Sequence, residues 1–163
     1  MTDFAIEPDR PDEPDVTRLL QDHLDHARAC SDPDDVHALD ITELLGSDIL
    51  FFSARHAAGL LAVGALRRID AGHAEIKSMH VAEQVRGRGV GRAMLEHLVA
   101  HAREQGFARV SLETGMQDGF RPARMLYQDA GFIACAPFGG YRCSKDSICM
   151  TRSLASGSPD EAG

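Results

Sequence analysis

The sequence has no run of about 18 apolar residues, so no segment is long and greasy enough to form a membrane-crossing helix. It has no basic excess either: 17 lysines and arginines face 25 aspartates and glutamates, a net charge of −8. That balance argues against nucleic acid as a partner, because phosphate polymers require a basic footprint. Cysteines number four, Cys30, Cys135, Cys143 and Cys149, with no CxxC spacing among them. Neither a metal site nor a disulfide framework is expected, and reduced thiols follow. No Gly-Lys pair exists, which excludes a nucleotide triphosphate P-loop. No internal repeat is visible, and the opening MTDFAIEPDRPDEPD is acidic where a secretory leader is basic and then apolar. A cytoplasmic location is therefore expected, with no membrane partner.

What is present is enough for one core: 163 residues, 44% of them hydrophobic. We expect one domain over 1–154 and a disordered small-polar tail, ASGSPDEAG, over 155–163. Phe4 to Glu7 reads as a short strand, and Asp15 as the N-cap of a helix whose stripe is Val16, Leu19, Leu20, His23, Leu24 and Ala27. SDPDD, from Ser31, reads as a loop and Asp35 to Leu45 as a short helical piece. ILFFSAR, GLLAVGALRRI and HAEIKSMHV then form an antiparallel meander, with turns at Gly59 and at Asp70-Ala71-Gly72. Arg92 to Gln105 carries Met94, Leu95, Leu98, Val99 and Ala102 at helical spacing and ends at Gly106. The strand ARVSLET follows it, closing a βαβ crossover with parallel flanking strands. Pro122 opens another helix that Gly131 closes, and Phe132 to Phe138 and Ser147 to Ser153 are the final strands. This order gives an α/β fold, an α+β sandwich on one mixed sheet. Cys135 and Cys149 fall in core strands, where thiols serve as small apolar residues.

The chemistry concentrates in EQVRGRGVGRAML, Glu83 to Leu95, where three glycines alternate with arginines directly before a helix. Glycine permits φ > 0 and close backbone approach, while a helix start offers unpaired N–H groups and partial positive charge. Together these favour a phosphate. Arg86, Arg88 and Arg92 form a positive island in an acidic chain, which suits a small polyanion better than a polymer. The spacing G-x-G-x-G departs from the dinucleotide fingerprint G-x-G-x-x-G, although Glu113 stands about 20 residues on, where a ribose-binding acid would be.

Gln84-Val85-Arg86-Gly87-Arg88-Gly89 fits Q/R-x-x-G-x-G/A, and here the chain resembles the GNAT superfamily of N-acetyltransferases, whose acyl-CoA pyrophosphate loop has this pattern. AEIKSMHV resembles the family's fourth strand, and PARMLYQDAGF its A-x-x-L-Y-x-x-x-G-F element, so that the resemblance runs from Ile49 to Leu154. Within the superfamily it is similar to a small bacterial branch often labelled YsnE-like. The resemblance implies a GNAT-like fold: one central sheet of about six to seven strands, helices on both faces, and a pyrophosphate site between the fourth strand and third helix. It implies acetyl-CoA as co-substrate, with phosphate contacts on Arg86, Gly87, Arg88, Gly89, Gly91 and Arg92. Met79, His80 and Val81 would lie against the acyl end, beyond a bulge where the fourth and fifth strands splay. A homodimer through the closing strands is common in the family.

Moving an acetyl group from a thioester to a primary amine of a small molecule requires a neutral amine, stabilised charge on the carbonyl oxygen and a proton for the departing thiolate. Tyr127 matches the tyrosine that in many members protonates the sulfur, and a phenol with a pKa near 10 suits that step. Glu75 resembles the glutamate that several members use as base, directly or through water. It stands equally well as the ion-pair mate of Lys77, two residues along on the same face, and His80 is a further candidate base. Where the superfamily often has Asn, seven residues before the tyrosine, this chain has Phe120, and Thr114 and Gly115 are candidates to supply polar contacts instead. The acceptor pocket is expected from the first helices and the loop around Phe138 to Lys145, where Tyr141 and Arg142 stand. A non-catalytic acyl-CoA-binding module is the competing reading.

Overall fold

The computed structural model describes residues 4–30, 41–57, 59–139, 141 and 145–154. The SDPDD loop, residues 35–40 of the short helical piece, Arg142, Cys143 and the tail 155–163 lie outside them. Seven strands form one sheet: β1 (Ala5–Pro8), β2 (Ile49–His56), β3 (Gly59–Asp70), β4 (His73–Val81), β5 (Arg109–Gly115), β6 (Ile133–Cys135) and β7 (Ser147–Ser153). Their order is β1-β2-β3-β4-β5-β7-β6, antiparallel throughout except for β4 beside β5. The helices are α1 (Pro14–Cys30), α2 (Ile41–Leu44), α3 (Val90–Glu104) and α4 (Arg121–Asp129). None of the helices among the described residues is long and apolar enough to cross a membrane.

The meander forms where alternation and turn residues place it, and β4 spans the same nine residues that the sequence marks, His73–Val81. The crossover through α3 then lays β5 parallel to β4. Helix α3 buries Met94, Leu95 and Leu98 completely, each contributing about 1.5–3 kcal/mol of transfer free energy. Gly64 of β3 lets this helix approach closely, since a Cβ there would stand 3.0 Å from Leu98 Cδ1 and 3.1 Å from Met94 Cγ. On the other face α1 buries Val16, Leu19 and Leu20. Gly106 ends α3 and Gly131 follows α4, at φ +88° and +95°.

Several boundaries differ from the sequence reading. Asp15 is not an N-cap: α1 already begins at Pro14, whose fixed φ suits a first turn. The Asp15 carboxylate instead accepts two hydrogen bonds from Arg55, at 2.6 and 3.1 Å. Helix α3 starts at Val90 rather than Arg92, directly after Gly89, and α4 one residue early, at Arg121. The strand expected over Phe132 to Phe138 contracts to Ile133–Cys135, because it is the sheet edge and Pro137 has no N–H for a ladder. Cys149 is buried as expected, whereas Cys135 on that edge is only half-buried.

One irregularity creates the site. Between the pairs Val63↔His80 and Ala65↔Lys77, β3 advances two residues while β4 advances three. The extra residue is a bulge, and Ser78 within it takes φ +56°. The β4–β5 pairing ends at Glu75↔Ser111, so the two strands part beyond it.

Candidate active site

A cavity of about 500 Å³ opens where the strands part, walled by Ile76 to Val81 of β4 and Leu112 to Gly115 of β5. At one end stands the glycine loop. After a 3-10 turn over Glu83–Val85, Arg86 is extended, Gly87 takes φ +80° and Gly89 φ +85°, and α3 begins. No atom lies within 4 Å of a Cβ built on either glycine, so these residues face open space and only their backbone conformation demands glycine. The Ala93 N–H reaches the Gly89 carbonyl at 3.0 Å, and the amides of the turn before it have no intrahelical acceptor. Arg86, Gly87, Gly89, Gly91 and Arg92 line the cavity; Arg88 is exposed and is not part of the wall. Arg92 holds Glu96 through Nε at 2.9 Å.

Past the loop, Met79, His80 and Val81 line the wall beside α1, and Thr114 faces it from β5. Arg86 donates from Nε to the Val81 carbonyl at 3.2 Å, and its Nη2 stands 3.4 Å from His80 Nε2. A guanidinium can only donate, so His80 Nε2 is the acceptor and the imidazole proton sits on Nδ1. His80 Nδ1–H then donates to His23 Nδ1, 3.3 Å away. Burial holds both rings neutral: His80 is lowered to about 3, with His23 and Arg86 adding to the effect, and His23 to about 4. His26, one turn along α1, hydrogen-bonds the Gly119 carbonyl at 3.3 Å.

Tyr127 of α4 is buried in the cavity wall, and its phenol is pushed up to about 12 by burial and then by Glu113. It therefore carries its proton at any physiological pH. Glu75 is deeper, 4% exposed and not among the wall residues. Between it and the cavity stand Tyr141 and Lys77: the Tyr141 hydroxyl donates to Glu75 Oε2, Lys77 Nζ donates to the Tyr141 oxygen at 2.7 Å, and Lys77 stands 3.6 Å from Glu75. The ion pair with Lys77, one of the two roles open to Glu75 from the sequence, is thus formed. Phe120 packs against the end of β5, its ring so close to Gly115 that a Cβ there would lie 2.1 Å from Cδ2. Its other edge meets His26, with ring centroids 5.2 Å apart. An apolar contact occupies this corner of the site.

The sequence profile described as the Acetyltransferase (GNAT) family matches residues 15–132. The chain belongs to this acetyltransferase family. It is 39% identical over 139 residues to the uncharacterised N-acetyltransferase YsnE of Bacillus subtilis, covering 85% of this chain and 92% of that one. It is 35% identical to YedL of Escherichia coli, also an uncharacterised N-acetyltransferase, over 93% and 95% of the two chains. A solved GNAT family acetyltransferase from Elizabethkingia anophelis, with acetyl-CoA bound, shares the fold at a TM-score of 0.69 and 17% identity over 94% of this chain and 99% of that one.

The acetyltransferase fold gathers Met79, His80, Val81, Arg86, Gly87, Gly89, Gly91, Arg92, Thr114 and Tyr127 around one cavity, and leaves Arg88 and Glu75 off its wall. Sequence reasoning missed His23 and His26 as site residues. His23 lies on the apolar stripe of α1 and reads there as core, and the signal that could have separated it is its chemistry, an imidazole among leucines. Tyr141, named only as a loop residue near the acceptor, reaches the deepest carboxylate of the site.

Proposed function

We propose that this acetyltransferase transfers the acetyl group of acetyl-CoA to a primary amine of a small molecule, by direct attack in a ternary complex. The supporting observation is a single cavity that joins the left-handed glycine loop to Tyr127 through the gap between β4 and β5. A diphosphate fits the loop's chemistry. Successive main-chain amides at a helix start supply donors and positive potential, and open space at Gly87 and Gly89 lets a ligand approach the backbone. Bound there, acetyl-CoA supplies an activated acyl thioester, and every other part is played by the chain. Arg86 and Arg92 add charge at the loop. The backbone of Met79 to Val81, unpaired with β5, holds the pantetheine arm and faces the acyl carbonyl with an N–H. Tyr127 keeps the proton for the departing sulfur, and its raised pKa ensures that the proton is present.

Two measurements test the reading. Calorimetry with CoA should register binding, and release of free thiol from acetyl-CoA should appear with members of a primary-amine panel and slow in Tyr127→Phe by about 100-fold. Heat with CoA and no turnover on any amine would favour a non-catalytic CoA-binding module. Absence of heat would remove the assignment of the loop itself.

A further inference from the structure

We infer that Tyr141 is a catalytic residue of this enzyme: it takes a proton from the incoming ammonium on its phenolic oxygen and passes its own proton to Glu75. The inference rests on the amine-acetylation reading above and names the group that makes the amine nucleophilic.

Glu75 has the chemistry of a base but not the position, because it lies behind the wall, while Tyr141 and Lys77 form the wall in front of it. Tyr141 connects the two sides. Its hydroxyl donates to Glu75 Oε2, and its oxygen accepts from Lys77 Nζ at 2.7 Å. A phenolic oxygen has two lone pairs, so an ammonium entering the cavity can donate to the oxygen that Lys77 also serves. Burial, followed by the charge of Glu75, pushes the Tyr141 phenol well above its ordinary value. The ring is therefore unable to hold a negative charge, and a proton gained on one side has to be matched by one lost on the other. Lys77, lowered by burial and raised by Glu75 and Glu113, completes a buried set in which Glu75 and Lys77 hold opposite charges across the phenol. Among the described residues, the charged or titratable groups facing Tyr141 include Glu75 and Lys77 on β4, Glu113 on β5 and Cys149 on β7. His80, the other candidate base, has its lone pair occupied by Arg86 and its remaining proton given to His23.

The step balances. One ammonium proton moves to Tyr141 Oη as the Tyr141 proton moves to Glu75, leaving a neutral amine, an unchanged phenol and an uncharged Glu75. The nitrogen then bonds to the acyl carbon and the carbon–sulfur bond breaks. Sulfur takes the Tyr127 proton, which the second nitrogen proton replaces. Glu75 returns its proton to solvent by the same path.

The test uses the full chain, acetyl-CoA and a primary amine that the panel shows to be turned over. Tyr141→Phe keeps the ring and its contact with Phe138, 5.2 Å between centroids, yet removes the relay. It should lower kcat/KM about 100-fold with CoA affinity unchanged, and move the acid limb of the pH profile of kcat/KM up toward the pKa of the free amine. Glu75→Gln should do the same, and the double variant should lose no more than the worse single one, as expected of residues acting as a unit. Should Glu75→Gln fail to fold because Lys77 loses the carboxylate 3.6 Å away, Tyr141→Phe decides alone. Wild-type turnover in Tyr141→Phe, or an acid limb that stays at its wild-type position, overturns the relay while amine acetylation stands. Heat with CoA but no turnover of any amine by the wild-type enzyme overturns the acetylation reading, and the relay with it.

Discussion

Replacing Gly89 by alanine puts a Cβ on a residue held at φ +85° immediately before α3. Because no atom lies within 4 Å of the new carbon, the penalty is conformational and not steric crowding. A left-handed L-residue costs about 1–2 kcal/mol. In a domain of this size each kcal/mol moves Tm by about 2–4 °C, so a loop that keeps its shape should melt about 2–8 °C lower. A loop that relaxes to negative φ would escape part of that loss, but its amides would then turn from their common focus. Hydrogen bonds to a charged group contribute about 1.5–3 kcal/mol each, so the loss of one weakens CoA binding about tenfold or more. Thermal melting and CoA calorimetry on the same samples therefore bracket both outcomes. Arg88→Ala is the control: its side chain is exposed and off the cavity wall, so it should leave both quantities near wild type. Gly89→Ala with wild-type melting and wild-type CoA affinity would refute the reasoning. So would an Arg88→Ala variant that binds CoA as weakly as Gly89→Ala, since side-chain charge would then be the grip.

Three further outcomes are expected. The folded-state pKa values of His23 and His80, about 4 and about 3, lie below the ordinary 6.5, so the unfolded chain takes up protons first as pH falls. The stability these neutral rings contribute is complete above about pH 6.5 and is lost from there down to about pH 4 for His23 and about pH 3 for His80, with a slope of up to about 1.4 kcal/mol per pH unit for each site. Urea midpoints from pH 7.5 to 4.5 measure it, and an undiminished slope in His80→Gln would count against it. Gly64→Ala forces a methyl to within 3.0 Å of Leu98 and should destabilise by about 1–3 kcal/mol in thermal melts without changing CoA affinity. Gly115→Ala meets the Phe120 ring at 2.1 Å and should melt well below wild type, while the double variant with Phe120→Asn, which vacates that space, should melt above Gly115→Ala alone.

The local elements were legible because their causes are local. Alternation marked the meander, helical spacing with a terminal Gly106 marked α3, and glycines 87, 89 and 91 announced a backbone that needs φ > 0 or close approach. The family resemblance carried Tyr127 and the loop into a site that the fold then assembled. What remained hidden depends on register. The bulge at Ser78 inserts one residue into β4, and in a strand one residue changes which face every later side chain takes. That decides that His80 meets His23 and that the strands part after Glu75. Tyr141 reaches Glu75 across 66 positions of chain and Lys77 across 64, from a loop with no periodicity to read. The composition and spacing of this sequence therefore determined its strands, helices and phosphate-type loop, through φ/ψ preference and apolar period. Only the packed sheet decided which buried groups touch, because hydrogen bonds between residues far apart in the chain are set by how whole elements dock.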